Sequence, residues 1–189
     1  NKLTFDKNLA EGKEIKVDMY CTVSDQKIKL HTYTFTIKAG KLSGGYGTVE
    51  YPYVIKTLDD YTKFACGEAF MSSNVSLDFS NTLFEPVYRE FTGQFWGNGH
   101  KLSNIDTLGL SIYGMFTSLS GQVQDVIIEN ANLQPKAKGD MCTIGVIADT
   151  VNQKGRIKRC EVVDSKLYFS PGSGARIYIG GIAGTVNGG

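Results

Sequence analysis

Two histidines (His31, His100), four cysteines (Cys21, Cys66, Cys142, Cys160) and scattered carboxylates are the residues with the means for chemistry. A structural zinc site needs Cys-x-x-Cys pairs or histidines at ligand spacing, and neither pattern occurs. A zinc peptidase needs His-Glu-x-x-His, two histidines one helical turn apart with the glutamate as base, and that is missing too. A serine or cysteine nucleophile needs a histidine within hydrogen-bond reach. His31 falls in an alternating strand pattern and His100 in the turn GNGHKL, where a structural role outweighs catalysis. No catalytic residue is assigned, and no metal or cofactor is expected.

The carboxylates point the same way. Polysaccharide cleavage calls for clustered acids or calcium. Asp59 and Asp60 are adjacent but fall in the first turn of an expected helix, where they favour its dipole. Asp125, Asp149 and Asp164 are singly placed, without the D-x-D-x-D spacing of a calcium loop. GGYG at residues 44–47 is followed by no Lys-Ser/Thr pair and reads as a linker rather than a phosphate cradle. Asn74-Val75-Ser76 is a glycosylation triplet, relevant only in a host that glycosylates such sites. The cysteines lie among apolar or small residues, as in VDMYCTV and IKRCEVV, and are expected as buried free thiols, with a disulfide as the alternative. Ten tyrosines, ten phenylalanines and Trp96 leave aromatic rings for a surface. Tyrosine or tryptophan on a flat face stacks on sugar rings or anchors a protein. Trp96 and Tyr88 are the candidate binding residues; against this, Phe91, Phe95 and Phe116 would fill the core and Trp96 cover its edge.

Composition bounds the rest. The 189 residues are 41% hydrophobic, enough for a packed core. Lysine plus arginine (20) balance aspartate plus glutamate (19) and are dispersed, which argues against a nucleic-acid or anionic-membrane partner. The apolar runs fall far short of the ~20 residues that span a bilayer. Asn1 in place of Met suggests a removed leader or a start partway through a longer protein, either of which would allow secretion.

Twenty-two glycines, four prolines and short β-branched or aromatic runs are the punctuation of an all-β chain. Between residues 3 and 37, Ile15, Val17, Met19, Cys21 and Val23 alternate, as do Tyr33, Phe35 and Ile37, with SDQK as the turn of a hairpin and LTFDKNLAEGK as an earlier strand and turn. Glycines and Tyr51-Pro52 break the pattern over residues 39–52. We therefore divide the chain into 1–45, an antiparallel module, and 46–189. The second part opens with the strand YPYVI. A helix follows, with Thr57 as N-cap, Asp60 three residues on, Leu58, Tyr61 and Ala65 on one face and Gly67 as its stop.

Residues 46–189 repeat. Gly114-Met115-Phe116-Thr117 aligns with Gly145-Val146-Ile147-Ala148 and with Gly180-Gly181-Ile182-Ala183. Gly121, Val123, Val126, Ile128 and Leu133 align with Gly155, Ile157, Cys160, Val162 and Leu167, each 34 residues later. The unit holds two or three short strands broken by glycine or asparagine, which selects a parallel β-helix over helical repeats. Stacked coils would make ladders of Phe116, Ile147 and Ile182, and of Val126 over Cys160. Glycines 114, 145 and 180 would serve one corner by turning tightly or by adopting positive φ, and the helix would cap the first coil.

FTGQFWGNGHKLSNI, YGMFTSLSGQVQDVIIENANL, IGVIADTV…GRIKRCEVVDSKL and IGGIAGTV resemble the GLUG-motif β-helices of bacterial surface proteins, found also ahead of the catalytic domain of immunoglobulin A1 protease-type metallopeptidases. The likeness covers about residues 50–189, and its most specific string is Phe91 to Leu102. The motif's closing glycine is replaced by Thr117 and Ala148 and lies one place late at Gly184. Residues 1–38 resemble, more weakly, the last strands of an immunoglobulin-like module. The resemblance implies an all-β fold: a right-handed parallel β-helix (solenoid), incomplete at its C-terminus, preceded by a short antiparallel β module and carrying one capping α-helix. It also implies an extracellular or cell-surface bacterial location and a non-catalytic adhesive or presenting role toward a host protein or glycan. The alternatives are a non-catalytic portion of such a metallopeptidase, a carbohydrate-active β-helix enzyme, or a plain spacer.

Overall fold

The computed structural model describes residues 14–36, 42–67, 70–73, 75–107, 114–134, 141–168 and 176–188. The described residues are mostly strand with one helix, and the chain divides into two compact units, 1–41 and 42–189.

In the first unit β1 (Glu14–Val23) and β2 (Gln26–Thr36) pair antiparallel as expected. Ser24 and Asp25 lie at φ 47° and 62°, the pair of positive values that a two-residue turn needs to match strand twist. Strand pairing puts Ile15, Val17, Met19 and Cys21 opposite Phe35, Tyr33, His31 and Ile28, one apolar face. On the other face Asp18 takes Lys29 at 2.7 Å and the Thr32 hydroxyl at 2.6 Å. The expected earlier strand in LTFDKNLAEGK lies outside the described residues, as does Asn74.

The second unit begins with β3 (Tyr53–Ile55), α1 (Leu58–Gly67), β4 (Phe70–Ser73) and β5 (Leu77–Asp78). It continues with β6 (Val87–Phe91), β7 (Gln94–Trp96) and β8 (Lys101–Ser103), then β9 (Phe116–Leu119), β10 (Gln122–Gln124), β11 (Ile127–Glu129) and β12 (Asn132–Leu133). Next come β13 (Met141–Gly145), β14 (Ala148–Val151), β15 (Arg156–Lys158), β16 (Glu161–Val163) and β17 (Lys166–Leu167), then β18 (Arg176–Gly180) and β19 (Ala183–Val186). Among the described residues all pairing in this unit is parallel, in open sheets ordered β15-β10-β7-β4-β3, β16-β11-β8-β5 and β19-β14-β9-β6, with the pairs β12-β17 and β13-β18.

Each pass of the chain adds one strand to each large sheet, because a single pass cannot cover its own apolar side. Val123 pairs with Ile157, Ile128 with Val162 and Leu133 with Leu167, the register read from the sequence. The third sheet departs from expectation. Phe116 stands beside Ala148 and Ala148 beside Ala183, so the ladder is Val87–Phe116–Ala148–Ala183 rather than Phe116–Ile147–Ile182. Ile182 is 41% exposed. Aligning on glycines misplaced the first step by one residue, because the pass from Gly114 to Phe116 is one residue shorter than that from Gly145 to Ala148. Nor do glycines 114, 145 and 180 have positive φ. They are small because a Cβ at Gly114 would meet the Gly145 carbonyl oxygen at 1.8 Å, and one at Gly180 the Ala183 oxygen at 1.7 Å.

Positive φ falls instead on polar residues: Asp125 and Arg159 at one bend, Asn104, Asn130 and Asp164 at the next. Asn and Asp tolerate this region best because their short polar side chains bond locally. Asn130 Nδ2 donates to Asn104 Oδ1 at 2.7 Å and Asn104 Nδ2 to Asp78 Oδ1 at 2.9 Å, so the bend is also a hydrogen-bond ladder.

The helix links parallel strands β3 and β4, which need such a crossover. Thr57 Oγ1 accepts the Asp60 N–H and Asp60 Oδ2 accepts the Thr57 N–H, both at 3.1 Å, a reciprocal capping box. Its inner face is aromatic. Phe64 packs against Phe91, Phe95 and Phe116 at ring separations of 5.7, 5.0 and 6.2 Å, and Tyr61 against Phe79 and Phe84 at 5.2 and 5.5 Å. Asp60 is buried, and beyond its cap it accepts the Ser43 N–H and hydroxyl and the Lys56 N–H. Burial opposes its ionisation, yet the Ser43, Lys56 and Thr57 bonds together hold its carboxyl below the usual range. These bonds, with Val54 N–H donating to Gly44 O at 2.8 Å, tie residues 42–44 into the second unit. The two compact units meet at 41/42, four residues before the division drawn from the sequence.

Candidate binding groove on the outer face

The third sheet carries its chemistry on its outer side. Phe91, Leu119, Val151 and Val186 stand in one row across its four strands. The next residue of each strand is polar: Thr92, Ser120, Asn152 and Asn187. Their N–H groups continue the register, Ser120 to Phe91 O at 2.9 Å, Asn152 to Leu119 O and Asn187 to Val151 O at 2.8 Å. Just before the apolar row lies a second polar row, Glu90, Ser118, Thr150 and Thr185. Neighbouring rungs in such rows are about 4.8 Å apart.

Glu90, Thr92, Ser120, Asn152, Gln153 and Lys154, with Asn187, line a groove of about 540 Å³. Its floor is pre-arranged. Asn152 Nδ2 donates to the Ser118 hydroxyl at 3.0 Å, the Ser120 hydroxyl at 2.9 Å and Glu90 Oε1 at 3.4 Å, while Ser120 donates a short bond to the same oxygen. Within the described residues the side chains of Thr92, Gln153, Lys154 and Asn187 take part in no such bond, which leaves their donors and acceptors available on the groove's lining.

Tyr88 lies on β6 two residues from Glu90, at the bulge between Val87 and Glu90, and is 53% exposed. Trp96 lies on β7 of another sheet, half-buried in the row Ser72–Trp96–Gln124–Lys158. One of the two candidate aromatics thus lies on the strand that supplies Glu90, and the other on a strand of a different sheet. Phe91, Phe95 and Phe116 are fully buried. His31 is exposed on β2, and His100 is half-buried in the turn before β8.

Three other groups bear on chemistry. Asn98, Gly99, Asp125, Ile127, Arg159 and Glu161 line a second groove, but Arg159 occupies both Asp125 oxygens, at 2.5 and 2.7 Å, and holds that carboxyl below its usual range. Asp149 is the residue whose environment the sequence concealed. It is 5% exposed, and burial pushes its pKa up to about 7 against the N–H groups of Gly114 and Gly145, which donate to Oδ1 at 3.0 and 3.2 Å. Strand β13 packs beside β14, which carries Asp149, and both β13 and β18 pack beside β19. Cys142 is buried, its thiol raised by burial and by the Asp149 charge. Cys160 stands beside Val126, half-buried and raised by burial. Cys66, expected to be buried, is exposed, because Tyr61, Phe64 and Ala65 turn inward and leave it on the outer side of α1. All four cysteines are free thiols.

Among the described residues no cluster of three or more histidine, cysteine, aspartate or glutamate side chains gathers, and no helix is long and apolar enough to cross a membrane. Comparison with protein-family models, curated proteins and solved structures finds no match to this chain.

Proposed function

We propose that residues 42–189 wind as a right-handed parallel β-helix of the GLUG-motif kind, and that the chain is a non-catalytic segment of a secreted or cell-surface bacterial protein, acting as an adhesive or presenting scaffold. One observation carries this reading: successive passes return to the same three sheets in constant order, with apolar residues stacked 34 apart within and polar rows without. Such stacking would leave the outward side chains of each pass available to a partner.

The enzymatic alternative draws on the second groove, where Asp125 and Glu161 come together. Glycoside hydrolysis needs one carboxyl able to hold a proton, whereas the Arg159 pairing keeps Asp125 ionised. The test applies labelled 189-residue chain to arrays of host proteins and glycans, alongside a reducing-end assay on polysaccharides. Saturable capture without cleavage is expected. Cleavage would shift the reading to an enzyme, and an array with no captures would leave a spacer.

A further inference from the structure

We infer that the Thr92–Ser120–Asn152–Asn187 groove is a binding site for an extended, neutral polysaccharide lying across the strands. The inference rests on the scaffold reading and adds the ligand's chemistry.

The lining selects the ligand class. Hydroxyls and primary amides both donate and accept, which is what sugar hydroxyls require. The row offers one such group per strand, at a repeat close to that of successive sugar rings. Glu90 adds a carboxylate acceptor, Lys154 a donor, and Tyr88 an exposed ring two residues from Glu90 for a sugar's apolar face. An added peptide strand needs a free sheet edge, but β9 and β14, the inner strands under the groove, are paired on both sides. Nucleic acid or an acidic glycan needs several cations, whereas Lys154 is the one cation among the described lining residues and Glu90 opposes it. The Asn152–Ser118–Ser120–Glu90 network fixes the floor before binding, so little ordering cost falls on the protein.

The experiment is affinity electrophoresis and calorimetry of the 189-residue chain with a soluble mannan, xylan, β-glucan and galactan. At least one should bind. Gln153→Ala with Asn187→Ala, and separately Tyr88→Ala, should each weaken binding tenfold or more with an unchanged melting temperature, while Lys63→Ala on the helix should not. Binding to none of the four, or equal binding by the groove variants, overturns the site. Capture on host-protein or mucin surfaces that persists in the Gln153/Asn187 variant would sink the groove and leave the adhesive reading standing; loss of capture on every surface by the native chain would sink both.

Discussion

Arg159 grips Asp125 through Nε and Nη2 across one pass of the chain, and both residues hold positive φ, 49° and 55°. The bend therefore combines a surface ion pair with backbone strain that an arginine rarely accepts. Because exposed pairs are weak, relief of strain should dominate substitutions at residue 159. Denaturation midpoints are expected in the order Gly, then Asn, then Ala, with Val lowest. A midpoint for Arg159→Gly below that of Arg159→Ala would mean that the ion pair dominates.

Asp149 should make the second unit more stable in mild acid. Its folded pKa of about 7 lies above the ordinary 3.8, so the folded state binds the proton more tightly than the unfolded chain. The benefit is full below 3.8 and is lost as pH rises through 7, up to about 4 kcal/mol in all. Asp149→Asn keeps an acceptor for Gly114 and Gly145 and removes the charge. It should raise stability at pH 8 and flatten the difference between pH 8 and pH 5, measured by urea melts at each pH.

Tyr61 and Phe64 offer opposite outcomes on one helix face. Phe64→Ala should cost about 3–5 kcal/mol, because the ring fills the space between Phe91, Phe95 and Phe116. The buried Tyr61 hydroxyl has no hydrogen-bond partner among the described residues. Tyr61→Phe should therefore stabilise by about 1 kcal/mol, since the buried polar group is removed without a cavity. Paired thermal and chemical melts read both.

The glycines separate close approach from turn formation. Gly114→Ala, with its Cβ directed at the Gly145 carbonyl, should destabilise by about 2 kcal/mol or more. Gly181→Ala meets nothing within 4 Å and should stay within about 0.5 kcal/mol of the native chain. Equal effects at the two positions would refute this steric account.

Much of the fold was legible because burial repeats. Val123 over Ile157, Ile128 over Val162 and Leu133 over Leu167 needed no more than an apolar residue recurring every 34. The capping box of Thr57 and Asp60 was legible because it closes within four residues. The Glu90 groove carried a fainter mark, an apolar residue followed by Thr, Ser, Asn and Asn at Phe91, Leu119, Val151 and Val186. Unequal spacing hid it, since the passes through that sheet differ in length.

What resisted reading depended on which backbone lies against which. Glycine spacing suggested a corner that turns tightly or takes positive φ, whereas the close contact of Gly114 is with the Gly145 carbonyl of the following pass. The raised pKa of Asp149 follows from its burial, and Cys66 is exposed because Phe64 and Ala65 took the inner side of the same helix. Periodicity records which residues need burial, and local capping records where a helix starts. Register between passes, desolvation of a carboxylate and the meeting of four polar residues in one groove are properties of packed neighbours, and they exist once the passes have stacked.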